Sequence, residues 1–248
     1  MNELSAQAES VFLSVGKEAD NLPKDPIVGF LPTKGVLYRG ELMVVGRAVN
    51  GWNIPIEAAE LANPDLAREY TAKVWEDVSG QEDCPMKWVS KMWENTTGLY
   101  NTRRSAFWRV IRNCVSRLAI ADVDEDTSWP SHLVYSNLYK VSPEKGGNPG
   151  VRLCRAQESA CISLLHAEIA LFKPRRLLFL TGWGWVEPFL TGLTSDLQMP
   201  DAGWVQAAGT INHSDGAKTK FVVIPHPQGK PETPIVDGVI AAFAEGQS

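Results

Sequence analysis

Leu42-Met43-Val44-Val45-Gly46-Arg47-Ala48-Val49-Asn50-Gly51-Trp52 is the stretch on which the fold reading turns. Its first residues are uniformly apolar and stop at glycine. An unbroken apolar run of this length is a strand buried on both faces, closed by a turn residue. The plan recurs in Leu133-Val134-Tyr135-Ser136-Asn137-Leu138, in Leu177-Leu178-Phe179-Leu180 before Thr181-Gly182, and in Phe221-Val222-Val223-Ile224 before Pro225-His226-Pro227. Helical spacing fills the intervals. Phe107, Trp108, Ile111, Cys114, Val115 and Leu118 recur at separations of three and four. Ile162, Leu165, Ile169 and Phe172 mark the buried stripe of a helix from about Arg155, stopped before Pro174. Further helices are expected over Leu4–Ala19, around Trp185-Phe189-Leu190, and from about Pro234 to Ala244. Short buried strands alternating with helices predict an α/β fold: three layers, α/β/α, around a central four-stranded parallel sheet.

The chain has 248 residues, enough for one large domain. We expect a single α/β domain over residues 1–248, with an N-terminal helix and loop at 1–40 and an insertion at about 53–100 packed on it. Trp75, Trp88 and Trp93 are the expected packing anchors of that insertion. The formal net charge of −5 argues against extensive nonspecific wrapping of DNA, while leaving room for a local basic site. Cys84, Cys114, Cys154 and Cys161 form no C-x-x-C pair, so ordinary thiols are expected, with no metal and no cofactor. No apolar stretch is long enough for a membrane span, and Met1-Asn2-Glu3-Leu4 lacks the plan of a signal peptide. A cytoplasmic protein is expected.

In open α/β sheets, ligands bind beyond the C-terminal strand ends. Four segments therefore carry the candidate site: Gly46 to Trp52, Ser136 to Lys140, Thr181 to Trp185, and His226 to Lys230. They offer an amide, an imidazole, cations and aromatic rings, but no Cys-His or Ser-His-Asp set. Each residue also has an ordinary structural role available. Glycines permit tight turns, Asn137 suits a turn or cap, and Trp52 and Trp183 suit packing.

These segments, in this order, resemble the motifs of the uracil-DNA glycosylase superfamily. Val44-Val45-Gly46-Arg47-Ala48 resembles its first strand and water-positioning loop. Ser105-Ala106-Phe107-Trp108-Arg109 resembles the helix that follows in mismatch-specific members. Ser136-Asn137-Leu138-Tyr139-Lys140 resembles the strand end where an asparagine reads the base, and His226-Pro227 the last motif. The resemblance spans about residues 40 to 240, with an unmatched stretch near 53–100. It implies base excision from DNA, with His226 stabilising the departing base, Asn137 reading it and Trp52 stacking on it. Gly46, Arg47 and Lys140 would face sugar or phosphate. The sequence also departs from the pattern. Ala48 stands where many members place a water-orienting Asp or Asn, Val49 where proline is usual, and Gln228 where the last motif has serine. Asn50 is then the polar side chain left in the first loop to position water. A nonhydrolytic protein that binds nucleic acid or a free nucleobase is the alternative, and an enzyme acting on an unrelated small molecule is a third.

Overall fold

The computed structural model describes residues 3–79, 83–94, 100–194 and 196–245. In chain order the elements are α1 (Ser5–Lys17), β1 (Ile27–Gly29), β2 (Thr33–Lys34), β3 (Leu42–Gly46), β4 (Pro55–Ile56), α2 (Pro64–Ser79), α3 (Lys87–Glu94), α4 (Ala106–Arg117), β5 (Leu133–Asn137), β6 (Val141–Pro143), α5 (Val151–Phe172), β7 (Arg176–Phe179), α6 (Trp183–Leu190), β8 (Ala207–Asn212), β9 (Lys218–Val223) and α7 (Glu232–Ala244). They fall into two compact units, each drawn from three chain segments: residues 1–32, 46–81 and 136–171 in the first, and 33–45, 82–135 and 172–248 in the second.

The first unit contains a three-stranded antiparallel sheet in the order β4-β1-β6. Its strands are only two or three residues long. Packing on helices supplies what such short ladders lack. Phe12 of α1 meets Tyr70 of α2 edge to face, with ring centroids 4.9 Å apart. The Tyr70 hydroxyl accepts from the Gly29 amide at 2.8 Å and donates to the Ile54 carbonyl at 2.9 Å. Gly16 lets α1 approach the 3-10 turn at Ala58–Ala62, because an added Cβ would stand 2.1 Å from the Leu61 carbonyl carbon. Backbone cannot yield as a side-chain tip can. Gly16→Ala is therefore expected to cost about 3 kcal/mol by overpacking, read as a lowered urea midpoint with an unchanged slope.

The second unit holds a six-stranded mixed sheet in the order β2-β5-β3-β7-β9-β8. The four strands expected from the apolar runs are present as neighbours. β3 pairs with β7, and β7 with β9, in parallel. The sheet is nevertheless neither four-stranded nor wholly parallel. β2 adds to β5, and β8 to β9, in antiparallel fashion. Neither added strand announces itself in the sequence. Thr33-Lys34 is too short, and Ala207-Ala208-Gly209-Thr210-Ile211-Asn212 is small and half-exposed, as suits a sheet edge.

Trp108 and Trp129 are the buried tryptophans of the second unit, and half-buried Trp88 and Trp93 pack against them. Trp108, 1% exposed, lies 5.4 Å from Trp88 and 5.1 Å from Tyr135 between ring centroids. Trp93 meets Trp129 at 5.9 Å. Trp88 and Trp93 thus act as the expected anchors, and Trp75 is half-buried in α2. Part of the expected insertion, residues 80–82 and 95–99, lies outside the described residues. All four cysteines are free thiols, and no helix among the described residues is long and apolar enough to cross a membrane.

Candidate functional site

The segments that follow β3 and β5 run side by side in the first unit. The Leu138 amide donates to the Gly46 carbonyl and the Tyr139 amide to the Arg47 carbonyl, each at 2.9 Å. Both bonds continue the strand pairing past the strand ends. They bring together Gly46, Arg47, Asn137 and Lys140 of the expected site.

Lys140 does not serve the role expected of it. Its side chain is 0% exposed, so it cannot reach a phosphate or sugar in this arrangement. It turns inward because a carboxylate awaits it. Its Nζ lies 2.7 Å from Oε1 of Glu168 on α5, and it donates to the Ser136 hydroxyl at 2.7 Å and the Asn137 carbonyl at 2.6 Å. The Ser136 hydroxyl in turn donates to Glu168 Oε2 at 2.7 Å. Two hydrogen bonds of the ammonium group thus go to Ser136 and the Asn137 carbonyl, Glu168 Oε2 accepts from Ser136, and Oε1 meets the ammonium as an ion pair without a hydrogen bond. Burial pushes the Glu168 carboxyl above its ordinary value, while Lys140 and Ser136 pull it down. The ion pair therefore braces the backbone at Asn137. Asn137 itself is 0% exposed. Contact with a ligand requires this segment to open.

Gln157 completes the brace. Its side-chain oxygen accepts from the amides of Lys140 at 3.0 Å and Val141 at 2.9 Å, and its Nε2 donates to the Val141 carbonyl at 2.8 Å. The carboxamide thus acts as a substitute strand edge. Gln157→Leu would leave two amides and a carbonyl buried without these partners. The expected cost is at least about 3 kcal/mol, measurable by urea unfolding, since each of the three orphaned groups costs about 1–3 kcal/mol. Sequence reasoning missed Gln157 and Glu168, and gave Ser136 no role of its own within the Ser136 to Lys140 segment. The buried face of α5 comprises Leu153, Gln157, Cys161, Leu164, Leu165, Glu168 and Ile169, so Leu165 and Ile169 of the expected stripe are buried while Ile162 and Phe172 are only half-buried. Counting polar residues at helical spacing would have recovered both polar members.

The first loop is held by contacts with distant parts of the chain. Gly51 takes φ +75°, so it is Gly51, and not Gly46, that meets the conformational demand of the turn. Asn50 accepts from the Gly147 amide through Oδ1 at 2.5 Å. That contact ties the first loop to the turn before α5 and commits the acceptor a hydrolytic water would need. Trp52 is half-exposed. Its Nε1 donates to Asp77 at 2.6 Å, and its ring stands perpendicular to Phe30 with centroids 4.9 Å apart. Burial lowers the Arg47 guanidinium from its ordinary value, as for a cation partly withdrawn from water.

His226 belongs to the second unit, past the end of β9. Its ring stacks on Phe107 of α4, with centroids 6.0 Å apart and planes 25° from parallel. Nδ1 accepts from the Gln228 amide at 3.3 Å. A neutral ring held this way carries its proton on Nε2, which is then a donor. Gln228, which stands in place of the expected serine, acts here through its backbone. Phe107 is a further residue that the sequence reading had not assigned to the site, although it lies in the quoted Phe107-Trp108-Arg109 run. Trp183, at the start of α6, donates its amide to the Gln206 side chain at 2.8 Å. Among the described residues, no group of three or more His, Cys, Asp or Glu could hold a metal ion. No protein-family signature and no curated protein sequence matches the chain.

Proposed function

We propose that this chain is a divergent uracil-DNA-glycosylase-like protein that hydrolyses the N-glycosidic bond of a damaged or mismatched base in DNA. The observation that carries the reading is the pairing of Leu138 and Tyr139 with Gly46 and Arg47, which sets the two strand-end segments quoted for the resemblance side by side. In this reading the three-layer α/β/α plan of that superfamily is kept, with two antiparallel edge strands added to its parallel sheet.

Cleavage of the bond leaves positive charge on the sugar and negative charge on the base. Preorganised donors stabilise that anion. His226 takes this part through Nε2, oriented by Phe107 and the Gln228 amide. Asn137 reads the base edge, since a carboxamide both donates and accepts. Its burial means that extruding the base, which itself costs a few kcal/mol, is coupled to opening of the segment braced by Lys140. Trp52 offers a ring for stacking.

A second reading, a nonhydrolytic binder of nucleic acid or a free nucleobase, is favoured by Ala48 and by the commitment of Asn50 to Gly147. Oligonucleotides carrying uracil, hypoxanthine or a mismatch separate the two. Abasic sites formed by the purified chain support the hydrolase. Salt-dependent binding without abasic sites supports the binder. Neither turnover nor binding rejects both.

A further inference from the structure

A cavity of about 460 Å³ lies in the first unit, lined by Ser14, Lys17 and Glu18 from the end of α1, Leu22, and Arg152 and Arg155 from the first turns of α5. Its volume is in the range of small-ligand sites. Three cations face a single carboxylate there, in a chain whose net charge is −5. Neither Lys17 nor Arg155 has an ion-pair partner among the described residues. Arg152 donates a 3.5 Å hydrogen bond to the Asn21 carbonyl. Glu18, the one anion, accepts from the Asn21 side chain at 2.9 Å.

The charge pattern runs against what a helix by itself favours. The first turn of α5 contains no acidic residue, and the two arginines add to the positive end of the helix dipole where a carboxylate would offset it. Solvated cations of this kind are common singly. Three of them around one concavity, two on a helix end that repels them, form a charge trap for an anion. Leu22, which is buried, and Ala156 supply apolar wall beside it. Guanidinium pairs match phosphate oxygens in a bidentate way, which a lone chloride cannot exploit.

We propose that this cavity is a phosphate-binding site, in which Arg155, Arg152 and Lys17 hold the phosphate and the apolar wall receives the group attached to it. The phosphate belongs either to a free phosphomonoester or to a nucleic-acid backbone. The site is separate from the base-excision reading and stands if that reading falls.

Titration of the full chain at low salt with thymidine 5′-monophosphate, thymidine and a short single-stranded oligonucleotide tests it. We expect the monophosphate to bind and thymidine not to. Arg155→Gln and Lys17→Gln should each weaken binding about tenfold, the loss for one charge-assisted contact. Binding of the oligonucleotide but not the monophosphate, with the same loss in both variants, assigns the phosphate to a nucleic-acid backbone. Equal binding of thymidine, affinities unchanged in both variants, or no binding of either phosphate compound overturns the proposal. The residues are exposed, so the variants should match the parent in thermal unfolding, and His226→Ala should leave monophosphate binding intact.

Discussion

Lys140→Met is expected to destabilise the chain by about 3–5 kcal/mol at neutral pH, because it strands Glu168 as a buried carboxylate without its counter-charge. The double variant Lys140→Met/Glu168→Leu should recover most of that loss. Replacing a buried pair by apolar side chains removes the desolvation cost along with the attraction. The deficit should also depend on pH, with a definite sign. Burial already raises the Glu168 carboxyl in the folded chain. Without Lys140 it rises further, so the folded state holds a proton that the unfolded state releases. Stability from such a group is present below the unfolded value and is lost as pH rises through the folded one. The single variant should therefore lie closer to the parent at about pH 4.5 than at pH 7, by the usual carboxylate titration range. Urea unfolding at both pH values measures this. A deficit independent of pH, or a double variant as unstable as the single one, would show that the pair is not the brace described.

The second large effect concerns catalysis. In the base-excision reading, His226→Ala should slow abasic-site formation about 10²–10³-fold, the size typical of removing one preorganised donor to a developing anion. His226→Gln should keep part of the rate, since its amide can still donate. Folding should change little, because the ring is only half-buried. Single-turnover rates on a uracil-containing oligonucleotide, with abasic sites quantified after cleavage, give the comparison. An Ala variant as fast as the parent would remove His226 from the chemistry.

These two residues illustrate different degrees of legibility. His226 is a candidate from the sequence because it follows an apolar run and sits between prolines, and strand-end position is a one-dimensional signal. The same rule selects Lys140 but does not show that its side chain turns inward. Nothing in Ser136-Asn137-Leu138-Tyr139-Lys140 reveals that a glutamate on α5 lies within 2.7 Å of its ammonium group. Asn50 was read as a water ligand for its polarity alone, and its partner Gly147 lies 97 residues away along the chain.

The apolar strands β3, β5, β7 and β9 and the amphipathic helices between them are legible in the residues alone. Each is fixed by neighbours within a few residues, through periodicity and backbone sterics. The edge strands β2 and β8, the polar members Gln157 and Glu168 of the buried face of α5, and the inward turn of Lys140 emerge only from the packed chain. Those depend on which distant groups share a buried space, where an unpaired charge or amide is too costly to leave alone.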